Sequence, residues 1–155
     1  MSLPQAILVP QNTALVLPVL EGVADDFEDG REVLEFVAER GMYPILQEAF
    51  ATEGYSLWRR LTPGYAARKR VKYGDRLIGQ ASGAYMRSLT KKGATGNIHL
   101  GIGHDTLLIG SSLTQARYFN KDRPIEFKEA SIERMSELAE ESMRERIEKR
   151  GIETR

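Results

Sequence analysis

The C-terminal end of the chain carries its strongest period. Across Lys128–Arg150 the residues Ile132, Met135, Leu138, Ala139, Met143 and Ile147 recur at steps of three and four. That spacing puts all six on one stripe of an α-helix. Ser131 stands near the start and Gly151 follows the end, where glycine commonly stops a helix. The opposite face is dense in Glu and Arg, with a favourable i,i+4 pair at Glu140–Arg144 and a repulsive one at Glu141–Glu145. A stripe this long has to lie against other elements, so the rest of the chain must supply a core.

The means for one core are present. A length of 155 residues suits a single domain, and 41% apolar residues are enough to fill its interior. With no cysteine, disulfides, thiolate zinc sites and a cysteine nucleophile are excluded, and the fold rests on packing. No apolar run approaches the roughly 20 residues of a membrane span. Met1–Leu20 contains no Lys or Arg, so the basic-then-apolar order of a signal peptide is absent.

Met1–Asn12 holds two prolines and no clear period, and reads as an arm. Thr13–Leu20 reads as a strand, with Pro18 placing it at an edge or near its end. Asp25 or Asp26 is a candidate cap for a helix in which Phe27, Val33, Leu34, Val37 and Ala38 share a face. Gly41 and Pro44 break or kink it, and it resumes as Ile45–Ala51 until Gly54. Pro63 suits the first position of a short helix over Gly64–Val71, ended by Gly74. Ile78–Leu89 reads as a further short helix. Asn97–Gly101 and Thr106–Gly110 form an antiparallel hairpin about Gly103-His104-Asp105, with Ile98 and Leu100 on one face. Tyr118–Phe127 reads as an extended loop or edge strand.

Charge is segregated although the formal net charge is zero. Met1–Leu57 holds ten acidic residues against two basic ones, whereas Trp58–Arg76 holds seven basic against one acidic. Such a chain can meet copies of itself head to tail. The candidate interface residues are Asp25, Asp26, Glu28 and Glu32 on the acidic side, and Arg59, Arg60, Arg68, Lys69, Arg70, Lys72 and Arg76 on the basic side. Trp58, Leu61 and Tyr65 read as core anchors among them. The alternative is a nucleic-acid-binding module at 58–76, because aromatics between cations can stack bases while the cations neutralise phosphates.

Patterns that carry catalysis are thin. His99 and His104 are the only histidines, and two ligands do not make a zinc site, so both read as ordinary rim histidines. Gly101-Ile102-Gly103 lacks the third glycine of a dinucleotide fingerprint and leads into a strand. Ser88-Leu89-Thr90-Lys91 matches S-x-x-K without that class's companion motifs. The carboxylates of the N-terminal helix lie on a solvated face. The expectation is a protein that is not an enzyme and holds no cofactor or metal.

One stretch carries a resemblance. It runs Phe50-Ala51-Thr52-Glu53-Gly54, then Trp58-Arg59-Arg60-Leu61-Thr62-Pro63, Tyr65, Arg68-Lys69, Tyr73-Gly74 and Leu77, and then Ala81-Ser82-Gly83-Ala84-Tyr85-Met86-Arg87-Ser88-Leu89-Thr90. Arg123-Pro124 with Phe127 follows before the last helix. This pattern resembles the phage virion morphogenesis family, the Mu-like tail-completion proteins. The resemblance implies a small α+β domain over 13–150, with a mixed or antiparallel sheet, a long N-terminal helix kinked near Gly41–Pro44, a C-terminal amphipathic helix and a tail at 151–155. It further implies a structural virion protein of the neck, assembled in the host cytoplasm and often a hexameric ring. That ring would complete or terminate the tail, join it to the head connector and meet the tail tube or tail terminator. Basic residues lining its lumen would touch passing DNA without reading sequence. No membrane is involved.

Overall fold

In a computed structural model of the chain, residues 7–9, 14–18, 30–103 and 106–149 are described. They form an α+β fold with four antiparallel strands in the order β1-β2-β4-β3. The strands are β1 (Ile7–Val9), β2 (Ala14–Pro18), β3 (Asn97–Ile102) and β4 (Thr106–Ser111). The helices are α1 (Arg31–Val37), α2 (Tyr43–Ala51), α3 (Pro63–Tyr73), α4 (Ala84–Thr90), α5 (Thr114–Asp122) and α6 (Glu129–Lys149). The 1–12 stretch expected to be an arm contributes β1, whose backbone pairs with β2. Pro18 is the last residue of β2 and pairs with Thr106, so its missing N–H falls where the ladder ends. Residues 151–155 lie outside the described residues.

The expected interruption at Gly41–Pro44 takes the form of a π-helical segment, Ala38–Met42, between α1 and α2. Here Tyr43 N–H donates to the Ala38 carbonyl, five residues back. The extra residue widens the helix just before Pro44, whose ring would otherwise press on the carbonyl four residues earlier. The helical rod therefore continues from Arg31 to Ala51, about 30 Å at 1.5 Å per residue. Gly41 is a packing residue more than a breaker. A Cβ there would come within 2.9 Å of Leu138 Cδ1 and 3.2 Å of Met135 Cγ, so its bare backbone lets α6 approach closely.

The core lies where the rod, α4, α6 and one face of β4 meet. Met42, Leu46, Phe50, Leu89, Ile109 and Leu138 are fully or almost fully buried there. The α6 stripe faces inward as its period predicts: Met135, Leu138 and Met143 are buried, while Ile132 and Ala139 pack against the core from its margin.

Strand β3 keeps Ile98 and Leu100 on one face, as its alternation predicts, but His99, expected at the rim, turns inward. Its register sets His99 opposite Ile109, which is buried, and Leu100 opposite Leu108. His99 thus turns toward the helices, while Leu100 and Ile102 are exposed on the other face. Two further expectations are corrected. The first part of Tyr118–Phe127 belongs to α5, which begins at Thr114 and buries Ala116, and only the chain after Asp122 is extended. The helix expected over Ile78–Leu89 starts at Ala84, after an irregular stretch.

Candidate functional site

The motif stretch Phe50–Thr90 folds into one construction that holds helix α3 away from the body. It starts at the end of α2, where Glu53, Gly54, Tyr55 and Ser56 all have positive φ (52°, 66°, 58° and 67°). For the three that are not glycine this costs about 1–3 kcal/mol each. A backbone hydrogen-bond set holds the turn: Gly54 N–H to Ala49 O (2.7 Å), Ser56 N–H to Thr52 O (2.8 Å) and Trp58 N–H to Glu53 O (3.2 Å). Gly54 is required twice, for its φ and because a Cβ would collide with the Trp58 indole at 2.2 Å.

The strained turn delivers Trp58 into an aromatic cluster with Phe50, Tyr85 and Phe119, whose contacting ring centroids lie 4.9 to 6.1 Å apart. Trp58 Nε1 donates to Pro124 O at 3.0 Å, so the indole's polar atom is satisfied inside. Glu53 serves both ends of the stretch. One carboxylate oxygen accepts from Arg60 Nη1 (3.0 Å), the other from the Ile78 backbone N–H (2.8 Å). The F-x-x-E-G and W-x-x-L-x-P residues are thus the scaffold that leads into α3, and Glu53 ties it to the chain beyond the helix at Ile78.

Helix α3 itself is barely packed. Pro63 occupies its first turn and Gly74 follows its end. Of its eleven residues only Lys69 is buried, at 7% exposure. Its ammonium donates to the Arg76 carbonyl and, at 2.9 Å, to that of Leu77. Burial pushes the Lys69 pKa below its ordinary value, opposed by the charges of Glu53 and Asp75. A helix of this length is marginal alone, so these tethers matter. Val71 is 90% exposed and Tyr65 48%. A groove of about 740 Å³ opens on one side of α3, toward α5, and one of about 470 Å³ on the other.

The larger groove gathers Arg59, Arg60, Leu61, Tyr65, Arg68 and Lys69 from the expected set, and adds Tyr118, Phe119, Asp122 and Arg123 from α5 and its end. Arg70 and Arg76 line the smaller groove instead. Several expected roles change. Tyr65 is no core anchor: its ring stands at the groove wall, because α3 touches the body through Lys69's face. Leu61 packs at the core margin and Trp58 lies inside it. Lys69 is not a free interface cation. Arg60 pairs with Glu53, and Arg70 with Asp75 at 2.6 Å. Lys72 lies over the Tyr73 ring, 5.2 Å from its centroid. Glu32, expected at an interface, pairs with Arg146 of α6. Arg59 and Arg68 make no ion pair with any described residue. Asp25, Asp26 and Glu28 lie outside the described residues.

A second cluster went unforeseen. The His99 ring stacks on Tyr43, with centroids 5.9 Å apart, and its Nδ1 lies 2.6 Å from the Tyr43 hydroxyl. Its Nε2 is 2.8 Å from both Glu35 carboxylate oxygens, and Lys92 Nζ reaches the same carboxylate at 2.6 Å. An ionised carboxylate only accepts, so Nε2 carries the proton; in the neutral ring Nδ1 then accepts from the tyrosine. Burial acts to raise the Glu35 pKa, but the hydrogen bonds and charges of Lys92 and His99 win and hold it below the ordinary carboxylate value. Burial, with the Glu35 and Glu39 charges, pushes the Tyr43 hydroxyl up despite an opposing hydrogen bond from Asn97. Neither groove beside α3 is lined by Glu35, Tyr43, Lys92 or His99. The arrangement pins edge strand β3 to the rod. Its one sequence signal was the alternation of Asn97–Gly101, which puts His99 opposite in face to Ile98 and Leu100.

Among the described residues no group of three or more His, Asp or Glu could hold a metal ion, and no helix is long and apolar enough to cross a membrane. No protein-family model, no curated protein and no solved structure matches the chain.

Proposed function

We propose that the chain is a structural subunit of a phage head–tail joint. Copies would assemble into a ring that completes the tail and joins it to the head connector, in contact with the tail tube or tail terminator. The observation that carries this reading is helix α3, a cationic helix with one buried residue and an open groove on each side. Such a surface gives little to the chain's own core and much to a partner. Four of its supports, Phe50, Glu53, Gly54 and Trp58, are residues through which the chain resembles tail-completion proteins.

A nucleic-acid reading draws on Tyr65 and Tyr118 standing exposed beside Arg59 and Arg68. It is the weaker one. Arg60 and Arg70 already hold carboxylates, Lys69 is buried, and Asp122 lines the same groove. Phosphate binding would appear as affinity falling steeply and linearly with log salt.

Light scattering of the purified chain, alone and with tail tube and connector proteins, tests the main reading. A defined oligomer that incorporates either protein is the expected result. A persistent monomer that binds neither contradicts it.

A further inference from the structure

We propose that the groove between α3 and α5 is the receptor for the acidic run Glu21–Asp29 of a second copy of this chain, making a head-to-tail contact. The inference rests on the ring reading above and names the surface and the occupant.

Charge selects the occupant. Among the described residues Arg59 and Arg68 have no carboxylate partner, Arg123 lies beside them, and Asp122 is the only acid in the groove lining. The exposed rings of Tyr65 and Tyr118 flank these cations, and Phe119 lies between core and groove. A ligand for this surface is anionic and carries an apolar or aromatic side chain. Three described acids ahead of the basic run are already engaged, Glu32 with Arg146, Glu35 with Lys92 and His99, Glu53 with Arg60, and Glu39 and Glu48 are single acids on the rod, not a run. Glu21–Asp29 (E-G-V-A-D-D-F-E-D) has five acids, no base and one aromatic, Phe27. No other nine-residue window of the chain is as acidic. A volume of about 740 Å³ is in the range that holds a small ligand or short peptide stretch, not a folded domain.

Connectivity makes the contact intermolecular. Residue 30, which follows the run, opens the rod at its N-terminal end, where Arg31 Nε donates to Gly103 O (3.0 Å) at the turn of the β3–β4 hairpin. Residue 18 ends β2 beside Thr106, at the same end of the sheet. Both anchors of the acidic run therefore sit at one pole. The groove sits at the other: Gly79 in its lining abuts Phe50 at the far end of the rod, about 30 Å away. The eleven residues between the anchors, fully extended out and back, reach only about 18 Å. The run cannot fill its own groove. An acidic run anchored at one end of the rod and a basic groove at the other would give a heterologous contact, the type from which rings are built.

The test uses two pairs of substitutions and their combination. Arg59→Glu with Arg68→Glu disables the groove, and Asp25→Lys with Asp26→Lys disables the run. Both arginines are exposed, and circular dichroism checks that each chain folds. In analytical ultracentrifugation at low salt, wild type should self-associate, and each double variant alone should do so about tenfold or more weakly. A mixture of the two should regain association beyond a dimer, because the intact run of one meets the intact groove of the other and the lysine-bearing run meets the glutamate-bearing groove. The chain with all four changes should regain self-association. Wild-type assembly in both double variants, no rescue by the fourfold chain, or a wild type that stays monomeric would each overturn the proposal. So would loss of binding to a short single-stranded oligonucleotide on Arg59→Glu and Arg68→Glu with assembly intact. The two readings fail separately. A chain that joins tube and connector but ignores the charge changes loses only this contact, and one that assembles through the groove but binds neither protein loses only the head–tail role.

Discussion

The rod α1–α2 and the helix α3 invite comparison, because both carry a proline and a glycine in positions that punctuate helices. In the rod, Gly41 and Pro44 lie mid-helix, and a π segment absorbs the proline while α6 closes over the glycine. Val33, Leu34, Val37, Met42, Leu46 and Phe50 are buried along it, so apolar burial holds it. In α3, Pro63 and Gly74 stand at the ends where sequence rules place them, and nothing inside disturbs the helix. Yet α3 buries Lys69 alone and is tethered by that ammonium on two carbonyls. Regular local signals made the less integrated helix, and irregular ones the more integrated. Helix quality in the sequence says little about how a helix is held; the count of apolar residues on one face says more.

The comparison can be broken at several points. The largest effect is expected at the rod's end, where Trp58→Ala removes the indole packed on Phe50 and Phe119 and leaves Pro124 O without its donor. A loss of about 3–5 kcal/mol of global stability should follow in urea denaturation. Gly41→Ala comes next. Its Cβ would press on Leu138 and Met135, and forcing α6 outward should cost about 1–3 kcal/mol, read by the same measurement. Lys69→Met should behave differently in kind. It frees the Arg76 and Leu77 carbonyls, so α3 should loosen by about 1–3 kcal/mol in hydrogen exchange while the rod's slowest amides hardly change.

Smaller effects mark the pin on β3 and the outer face of α3. The Glu35 carboxyl is held below its ordinary value of 4.5, so its pairing stabilises the fold above that pH and is lost as pH falls through the lower folded value. Glu35→Gln should remove that part of the acid dependence, and for so exposed a carboxylate the change near neutral pH should be about 1 kcal/mol or less. Val71→Ser should shift stability by less than about 0.5 kcal/mol in either direction, since the side chain is almost fully exposed.

What the sequence showed of this architecture follows from how many residues voted for each element. The α6 stripe, the hairpin of Asn97–Gly101 with Thr106–Gly110 and the Pro63–Gly74 limits of α3 were legible because period and punctuation agreed there. Helix α5 was not: Thr114–Asp122 commits only Ala116 and Phe119 to the interior, too few for a helical period to stand out. The inward turn of His99 depended on Glu35 and Tyr43, distant in the chain, and the alternation alone did not say which face turns inward. At the candidate site the basic run was visible as composition. Its division into paired, buried and open cations was not, since Glu53, Asp75 and the Arg76–Leu77 carbonyls are brought to it by the fold. Tyr65 was misplaced for the same reason, with α3 turned onto Lys69 instead of its aromatic face.

Hydrogen exchange of the wild-type chain across a range of protein concentrations addresses most directly whether α3 is kept for a partner. In the dilute monomer the amides of 67–74 should exchange far faster than those of Leu46–Phe50, and as copies associate they should slow while the rod stays as it was. Protection of α3 equal to that of the rod at every concentration would mean that the helix belongs to the chain's own core, and would contradict its role as an assembly surface.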